Sequence, residues 1–284
     1  MVLVTNAEIL NKAMKEKYAV GAFNANNMEM IQAIVETAEE ENSPVIIQAS
    51  QGAIKYAGLD MIVSMVKPLA LKSKVPISLH LDHGTDFAQN VQCLRAGFTS
   101  LMFDGSSLPF EKNVEITRKI CEIAHPVGVS VEAELGKIAG TEDNITVAQV
   151  EALMTDPDEA KKFVELTKVD SLAVAVGSVH RMLTRTATLD IERIKKIRDK
   201  VGIPLVLHGA SGVSDESVKE GIKAGICKIN IATELNKRFT QGFAQALKDY
   251  PNEVDPRKFL KVAKNGVKEA VREKMRLFGC SGKA

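Results

Sequence analysis

Residues 203–233 read IPLVLHGASGVSDESVKEGIKAGICKINIAT, and their pattern decides the fold. A β-rich apolar run over 203–208 stops at His208. The turn Gly209-Ala210-Ser211-Gly212 follows, and Ser214 is an N-cap residue type before a helical stretch over 215–224. A second β-rich run, 228–231, then leads into Asn230-Ile231-Ala232-Thr233 and another helical stretch over 234–249. Each strand reaches a polar residue and then a helix.

The same unit recurs along the whole chain. Strand candidates occupy 19–24, 44–50, 75–82, 100–104, 127–134, 171–178, 203–208 and 228–231. Helical stretches lie between them, at 28–41, 86–96, 110–125, 158–167, 190–200, 215–224 and 234–249. In the first of these, Ile31, Ile34, Val35 and Ala38 recur at three- and four-residue spacing. Strictly alternating β and α elements predict an α/β fold, a (β/α)8 TIM barrel, with a doubly wound open sheet as the alternative. Such a barrel uses roughly 250 residues, and the chain has 284. No Pro/Gly/Ser-rich linker interrupts it, so residues 1–284 are read as a single barrel domain. A C-terminal helical extension over 256–277, with Phe259, Val262, Val267, Val271 and Met275, is expected to cover the barrel or meet a second subunit.

Composition narrows the function. Lys plus Arg number 37 and Asp plus Glu 36, so the net charge is +1 and no global attraction to nucleic acid or an anionic membrane is expected. No apolar run reaches the ~18 residues of a transmembrane helix. The first twenty residues lack the pattern of a signal peptide. Cys93, Cys121, Cys227 and Cys280 form no CxxC pair. A cytoplasmic protein with reduced thiols is the expectation.

The strand candidates run into Asn24, Ser50, Asp82–His83, Asp104, Glu134, His180, His208 and Asn230. In a (β/α)8 barrel the C-terminal strand ends share one mouth, where active sites are built. His83, His180 and His208 come from three different strands, and three imidazoles with an open fourth position are the usual form of a catalytic zinc site. His80 alternates with Asp82 on one face and belongs a layer deeper, while His125, before Pro126, reads as a helix-end residue. Ser130, Glu132 and Glu134 share a face of the fifth strand; if it is the lumen, two buried carboxylates need a metal, a cation or donors. Glu134 and Asp104 offer an alternative metal position. Asp82, directly before His83, suits proton transfer. The loops after strands seven and eight are the usual phosphate site of a barrel. A Lewis-acid metal beside a phosphate site suits aldol chemistry or enolisation of a phosphorylated carbonyl compound. Lys228 is the only obvious Schiff-base candidate in the barrel, and that chemistry would leave the histidines unexplained.

The segments YAVGAFNANN, HLDHGTDF, AGFTSLMFDGSSLPFEKNV, GVSVEAELG, DSLAVAVGSVH, PLVLHGASG, GICKINIATEL and DPRKFL occur in this order over nearly the whole chain. On them the chain resembles the class II, zinc-dependent fructose-bisphosphate and tagatose-bisphosphate aldolases. The resemblance implies a (β/α)8 barrel, an essential Zn2+, and a homodimer or homotetramer. It implies His83, His180 and His208 as zinc ligands, and Asp104 and Glu134 as ligands of a second or alternative metal. A monovalent cation is a further cofactor of this reading. It implies Asp82 as the acid–base residue at the C4 hydroxyl, and Glu142 in the loop GKIAGTEDN as an acid in proton exchange on the dihydroxyacetone phosphate carbon. Gly209, Ala210 and Ser211, with Asn230, Ile231, Ala232 and Thr233, match the dihydroxyacetone phosphate site. Asn24 and Ser50 match substrate contacts, and Arg257 is a candidate for the distal phosphate.

Two positions depart from the family pattern. Arg181 follows His180 where the family has Gly, and is a candidate phosphate contact. Ala139-Gly140 stands where Gly-Gly is common, which implies a stiffer loop. The reading that follows is reversible cleavage of fructose 1,6-bisphosphate to dihydroxyacetone phosphate and glyceraldehyde 3-phosphate, a step of glycolysis and gluconeogenesis. Tagatose 1,6-bisphosphate, its C4 epimer, or another phosphosugar is the alternative substrate. A non-enzymatic barrel that binds a phosphate ligand, and a metallohydrolase, are the readings from other classes.

Overall fold

The computed structural model describes residues 3–136, 139–140, 154–180 and 187–284. Eight parallel strands close into a barrel: β1 (Val20–Asn24), β2 (Val45–Ser50), β3 (Ile77–Asp82), β4 (Ser100–Phe103), β5 (Ser130–Leu135), β6 (Ser171–Val174), β7 (Leu205–Leu207) and β8 (Ile226–Ile231). Each strand pairs with its neighbour in sequence, and β8 returns to β1. The open sheet is thereby excluded.

The helices outside the barrel are α1 (Asn6–Glu16), α2 (Met28–Glu40), α3 (Gln51–Ala57), α4 (Leu59–Lys72), α5 (Phe87–Ala96), α6 (Phe110–Ala124), α7 (Pro157–Thr167), α8 (Ile191–Val201), α9 (Asp215–Ala224), α10 (Thr233–Asp249) and α11 (Pro256–Phe278). Side-chain N-caps mark many of their starts, among them Asp86, Asp156, Asp190, Ser214 and Asp255. Such caps contribute about 1 kcal/mol each. Alternation along each strand sends one set of side chains outward and the other inward. The outward residues Leu79, Leu81, Leu101, Val131 and Ala133 pack with helix residues such as Ile31, Ile34, Ile120 and Phe163, all wholly buried or nearly so. Burying one large aliphatic side chain contributes about 1.5–3 kcal/mol.

Much of the inward set is polar. Gln48, Ser78, His80, Ser100, Glu132 and Lys228 have no exposed surface at all. A barrel lumen more often holds Val, Ile and Leu, so this one carries hydrogen-bonding capacity through its centre. Its lower end is closed by α1, to which the sequence reading assigns no element. Thr5 and Glu8 form a capping box there. The box presents Asn6 to the lumen: Ser78 Oγ donates to Asn6 Oδ1 at 2.6 Å, and the Asn6 backbone N–H donates to Ser130 Oγ at 3.2 Å.

Most strand boundaries move by one to four residues from the sequence expectation, and three of the shifts stand out. The sixth strand ends at Val174 rather than at residue 178, because Ala175 pairs with Thr155 instead (N–H to Oγ1 2.8 Å; Thr155 N–H to Ala175 O 3.0 Å). Gly177 then turns at φ +103°, where a Cβ would sit 2.8 Å from the Thr188 carbonyl oxygen. His180 therefore lies beyond the barrel strand, in a two-residue strand, Val179–His180, paired with Ala139–Gly140. The fifth strand starts at Ser130 rather than at 127, because a 3-10 turn occupies His125–Val127. The eighth starts two residues early, at Ile226.

The C-terminal extension covers the barrel. Helix α11 buries Phe259, Val267, Val271, Met275 and Phe278, and a ladder of ion pairs ties it to α2. Lys268 Nζ lies 2.6 Å from Glu40, Arg272 contacts Glu40 at 2.5 Å, and Arg276 contacts Glu41 at 2.7 Å. The four cysteines are buried free thiols. Among the described residues no helix is long and apolar enough to cross a membrane.

The ladder is acid-sensitive. The Lys268 hydrogen bond, against the cost of burial and helped by Arg272, lowers the Glu40 carboxyl; Arg276 does the same for Glu41. Both folded-state values lie below the unfolded one, so the contribution is complete above the unfolded glutamate value of about 4.3 and is lost as pH falls through the folded values. Hydrogen exchange across an acid titration is expected to show α11 amides losing protection before those of the barrel strands. Simultaneous loss would show that the apolar face alone holds the helix.

Candidate active site

Asp82 ends β3, and both its oxygens are held from neighbouring strands. Asn24 Nδ2 on β1 donates to Oδ2 at 2.7 Å, and Asn230 Nδ2 on β8 donates to Oδ1 at 3.0 Å. Each amide is itself oriented from behind. Gln48 Nε2 donates to Asn24 Oδ1 at 2.6 Å, and Lys228 Nζ donates to Asn230 Oδ1 at 2.8 Å. With its oxygen occupied, each amide can turn only its N–H groups toward the carboxylate. Burial pushes the Asp82 carboxyl up, but His83, His208, Lys228 and the Asn24 hydrogen bond outweigh it, so the net shift is downward and Asp82 is ionised.

His83 follows with φ +49°, a left-handed conformation uncommon outside glycine. The next residue, Gly84, lets the chain pass under β4: a Cβ there would lie 2.6 Å from the Met102 carbonyl oxygen. The Asp104 backbone N–H donates to Gly84 O at 2.8 Å, which locks the turn. The strained backbone swings the imidazole across the mouth, where Nδ1 meets Asp104 Oδ2 at 2.7 Å. Ser106 Oγ donates to the other Asp104 oxygen at 2.7 Å.

His208 follows β7 and is fully buried. Its Nδ1 lies 2.9 Å from Glu134 Oε2, and its Nε2 lies 3.2 Å from Glu132 Oε1. The His83 and His208 rings meet edge-on at 4.6 Å between centroids. Burial would lower both histidines. The Glu132 and Glu134 carboxylates, facing its two ring nitrogens, reverse this for His208, and Asp82, Asp104 and Glu134 drive His83 up to about 10. Glu134 is raised by burial and by Asp104, whereas Glu132 is lowered, burial notwithstanding, by Lys228 and the hydrogen bond with His208. His80 is pushed down to about 3 by burial and the Lys228 charge, and stays neutral.

These groups fit a divalent cation. Ligand atoms of Asp82, His83 and His208 lie within 4.8 Å of one another, and so do those of His83, Asp104 and Glu134. Asp104 pairs with His83, Glu134 with His208 and Glu132 with Lys228, so once the two imidazoles give up their protons to act as ligands the cluster carries excess negative charge. Mixed imidazole and carboxylate donors suit zinc.

Of the residues singled out from sequence, the structure brings together Asp82, His83, Asp104, Glu134, His208, Asn24 and Asn230. His180 is described only by its backbone pairing to Gly140. Glu142 and Arg181 lie outside the described residues. Ser50 caps α3, its side chain accepting from the Ala53 N–H. Gly209 is left-handed, and Ala210–Gly212 form a 3-10 turn beside His208. Ala232 begins α10 with no side-chain cap, so the first-turn N–H groups after Ile231, at Thr233 and beyond, are not taken by a capping side chain. Arg257 is exposed and binds Asp255, the N-cap of its own helix. Gln48 and Asn6 escaped the sequence reading; Gln48 sits on the inward face that strand alternation assigns, which was its available signal, whereas Asn6 opens helix α1 and carried no such signal.

The signature of the family described as Fructose-bisphosphate aldolase class-II matches residues 4–283. Among solved structures, the YdjI aldolase from Escherichia coli K12 superposes with a TM-score of 0.85 at 38% identity, covering 99% of both chains. The fructose-bisphosphate aldolase from Campylobacter jejuni superposes with a TM-score of 0.83 at 25% identity, covering 100% of this chain and 97% of that one.

His208→Ala is expected to purify without stoichiometric zinc, measured by atomic emission, whereas Asp82→Ala keeps it. A His208→Ala protein with a full complement of zinc would remove His208 from the ligand set.

Proposed function

Because this chain belongs to the class II fructose-bisphosphate aldolase family, we propose that it cleaves fructose 1,6-bisphosphate reversibly to dihydroxyacetone phosphate and glyceraldehyde 3-phosphate. The observation that carries this reading is Asp82, held ionised on both oxygens next to the two-histidine cluster. His83, His208 and His180 would hold a zinc ion, with Asp104 and Glu134 as the alternative position. Bound there, zinc would supply Lewis acidity toward the ketose carbonyl.

The chain's own groups do the rest. In the cleavage direction Asp82 accepts the proton of the C4 hydroxyl as the C3–C4 bond breaks, and in condensation it returns it. The asparagines on either side prevent the carboxylate from rotating, so its free lone pairs keep one direction. The dihydroxyacetone phosphate end is assigned to the Gly209–Ser211 turn and the uncapped start of α10, where backbone N–H groups meet an anionic phosphate. Glu142 is the proposed acid for proton exchange on the remaining carbon, and Arg181 a further phosphate contact. Fructose and tagatose 1,6-bisphosphate differ at C4, the carbon served by Asp82, so one hydroxyl contact selects between them.

A coupled assay for triose phosphate, run with each sugar and with and without chelator, tests the reading. Fructose 1,6-bisphosphate is expected to turn over, to stop on metal removal, and to recover with zinc. Asp82→Ala is expected to lose about 10²- to 10⁴-fold in kcat, the usual share of general acid–base catalysis. Faster turnover of tagatose 1,6-bisphosphate would reassign the sugar, and turnover after complete metal removal would overturn the zinc mechanism.

A further inference from the structure

Lys228 is a buried titratable group that the proposed reaction does not use. It points into the lumen from the middle of β8 and has no exposed surface. Its three N–H donors have three acceptors. Glu132 lies at 3.0 Å, Asn230 Oδ1 at 2.8 Å and His80 Nε2 at 3.5 Å. An enclosed amine so engaged is a poor nucleophile, which disposes of the Schiff-base alternative.

We propose that Lys228 is a positioning residue that sets the proton-transfer carboxylate and a metal-binding histidine at once, through Asn230 on one side and Glu132 on the other. The inference rests on the roles given above to Asp82 and His208. On the first side, the ammonium occupies Asn230 Oδ1, so the amide must turn Nδ2 toward Asp82 Oδ1. An unheld asparagine could flip and place its carbonyl against the carboxylate. On the second side, the ammonium holds Glu132 in the position where it accepts from His208 Nε2 at 3.2 Å. A proton kept on Nε2 leaves Nδ1 as the nitrogen that faces Glu134 and the cluster. His80 completes the arrangement. Its Nε2 faces Lys228 and its Nδ1 meets Ser100 Oγ at 2.9 Å, so the neutral ring adds a third fixed point. One rigid cation thus coordinates the two halves of the site from beneath, out of contact with the mouth.

The test compares Lys228→Met with the double variant Lys228→Met/Glu132→Gln, which leaves no orphaned carboxylate and so remains informative where the single variant fails to fold. Thermal melting, zinc content, kcat and KM are measured, together with the visible absorption spectrum of the cobalt-substituted protein. Loss of such a supporting partner is expected to lower kcat about 10- to 100-fold with little change in KM. The cobalt bands are expected to shift as His208 reorients. Variants that melt earlier yet keep wild-type kcat and an unaltered cobalt spectrum would reduce Lys228 to a structural ion pair and overturn the proposal. If the wild-type protein cleaves neither sugar bisphosphate, the proposed function fails, and the cobalt spectra alone then decide whether Lys228 positions His208.

Discussion

Glu132 is an ionised carboxylate at the centre of a closed barrel, wholly out of contact with solvent. Isolated there it would cost several kcal/mol. It is tolerated because Lys228 lies 3.0 Å away and His208 and His80 approach from two other strands. The inward residues of several strands are therefore selected as a set rather than one at a time. Lys228 needs Asn230 and His80 for its remaining donors, His80 needs Ser100, and Asn230 carries the network up to Asp82. A lumen filled with Val and Leu would be easier to stabilise, but it could not hold an acid and an imidazole in fixed directions at the mouth.

The site rests on backbone strain as well as on charge. The left-handed conformation of His83 is unfavourable for a residue that carries a Cβ, and it persists because Gly84 passes close to Met102 and Asp104 closes the turn. Its product is an imidazole among three acids, which hold it in the protonated form unless another cation takes the proton's place. The same acids that raise the histidine are those offered to a metal. The unfavourable burial of Glu134 beside Asp104 is relieved when further positive charge enters.

Stability resides elsewhere. The outward faces of the strands and the apolar stripes of the helices form a continuous hydrophobic layer around the barrel. The C-terminal helix adds Phe259, Val267, Val271 and Met275 to it. Its charged rim against α2 is partly exposed and mainly fixes the register of the two helices, since such pairs are worth at most about 1 kcal/mol each. At the opposite end from the site, α1 plugs the barrel with Asn6, so water has no straight path upward to the buried polar groups.

Alternation of β and α periods determined the barrel, because hydrophobic burial imposes one period on a strand and another on a helix, and both are visible in a linear string. The convergence of Asp82, His83, Asp104, Glu134 and His208 followed from it, since every strand end in a barrel faces one mouth. The length of β6 could not be read in this way: the apolar run continues to Val176, and only a hydrogen bond to Thr155, distant in sequence, ends the strand at Val174. Nor could the purpose of Lys228. A lysine in a strand is equally consistent with a nucleophile or an ion pair. The choice depends on distances of 2.8–3.5 Å to groups on β3, β5 and β8, and those distances exist only once the barrel has closed.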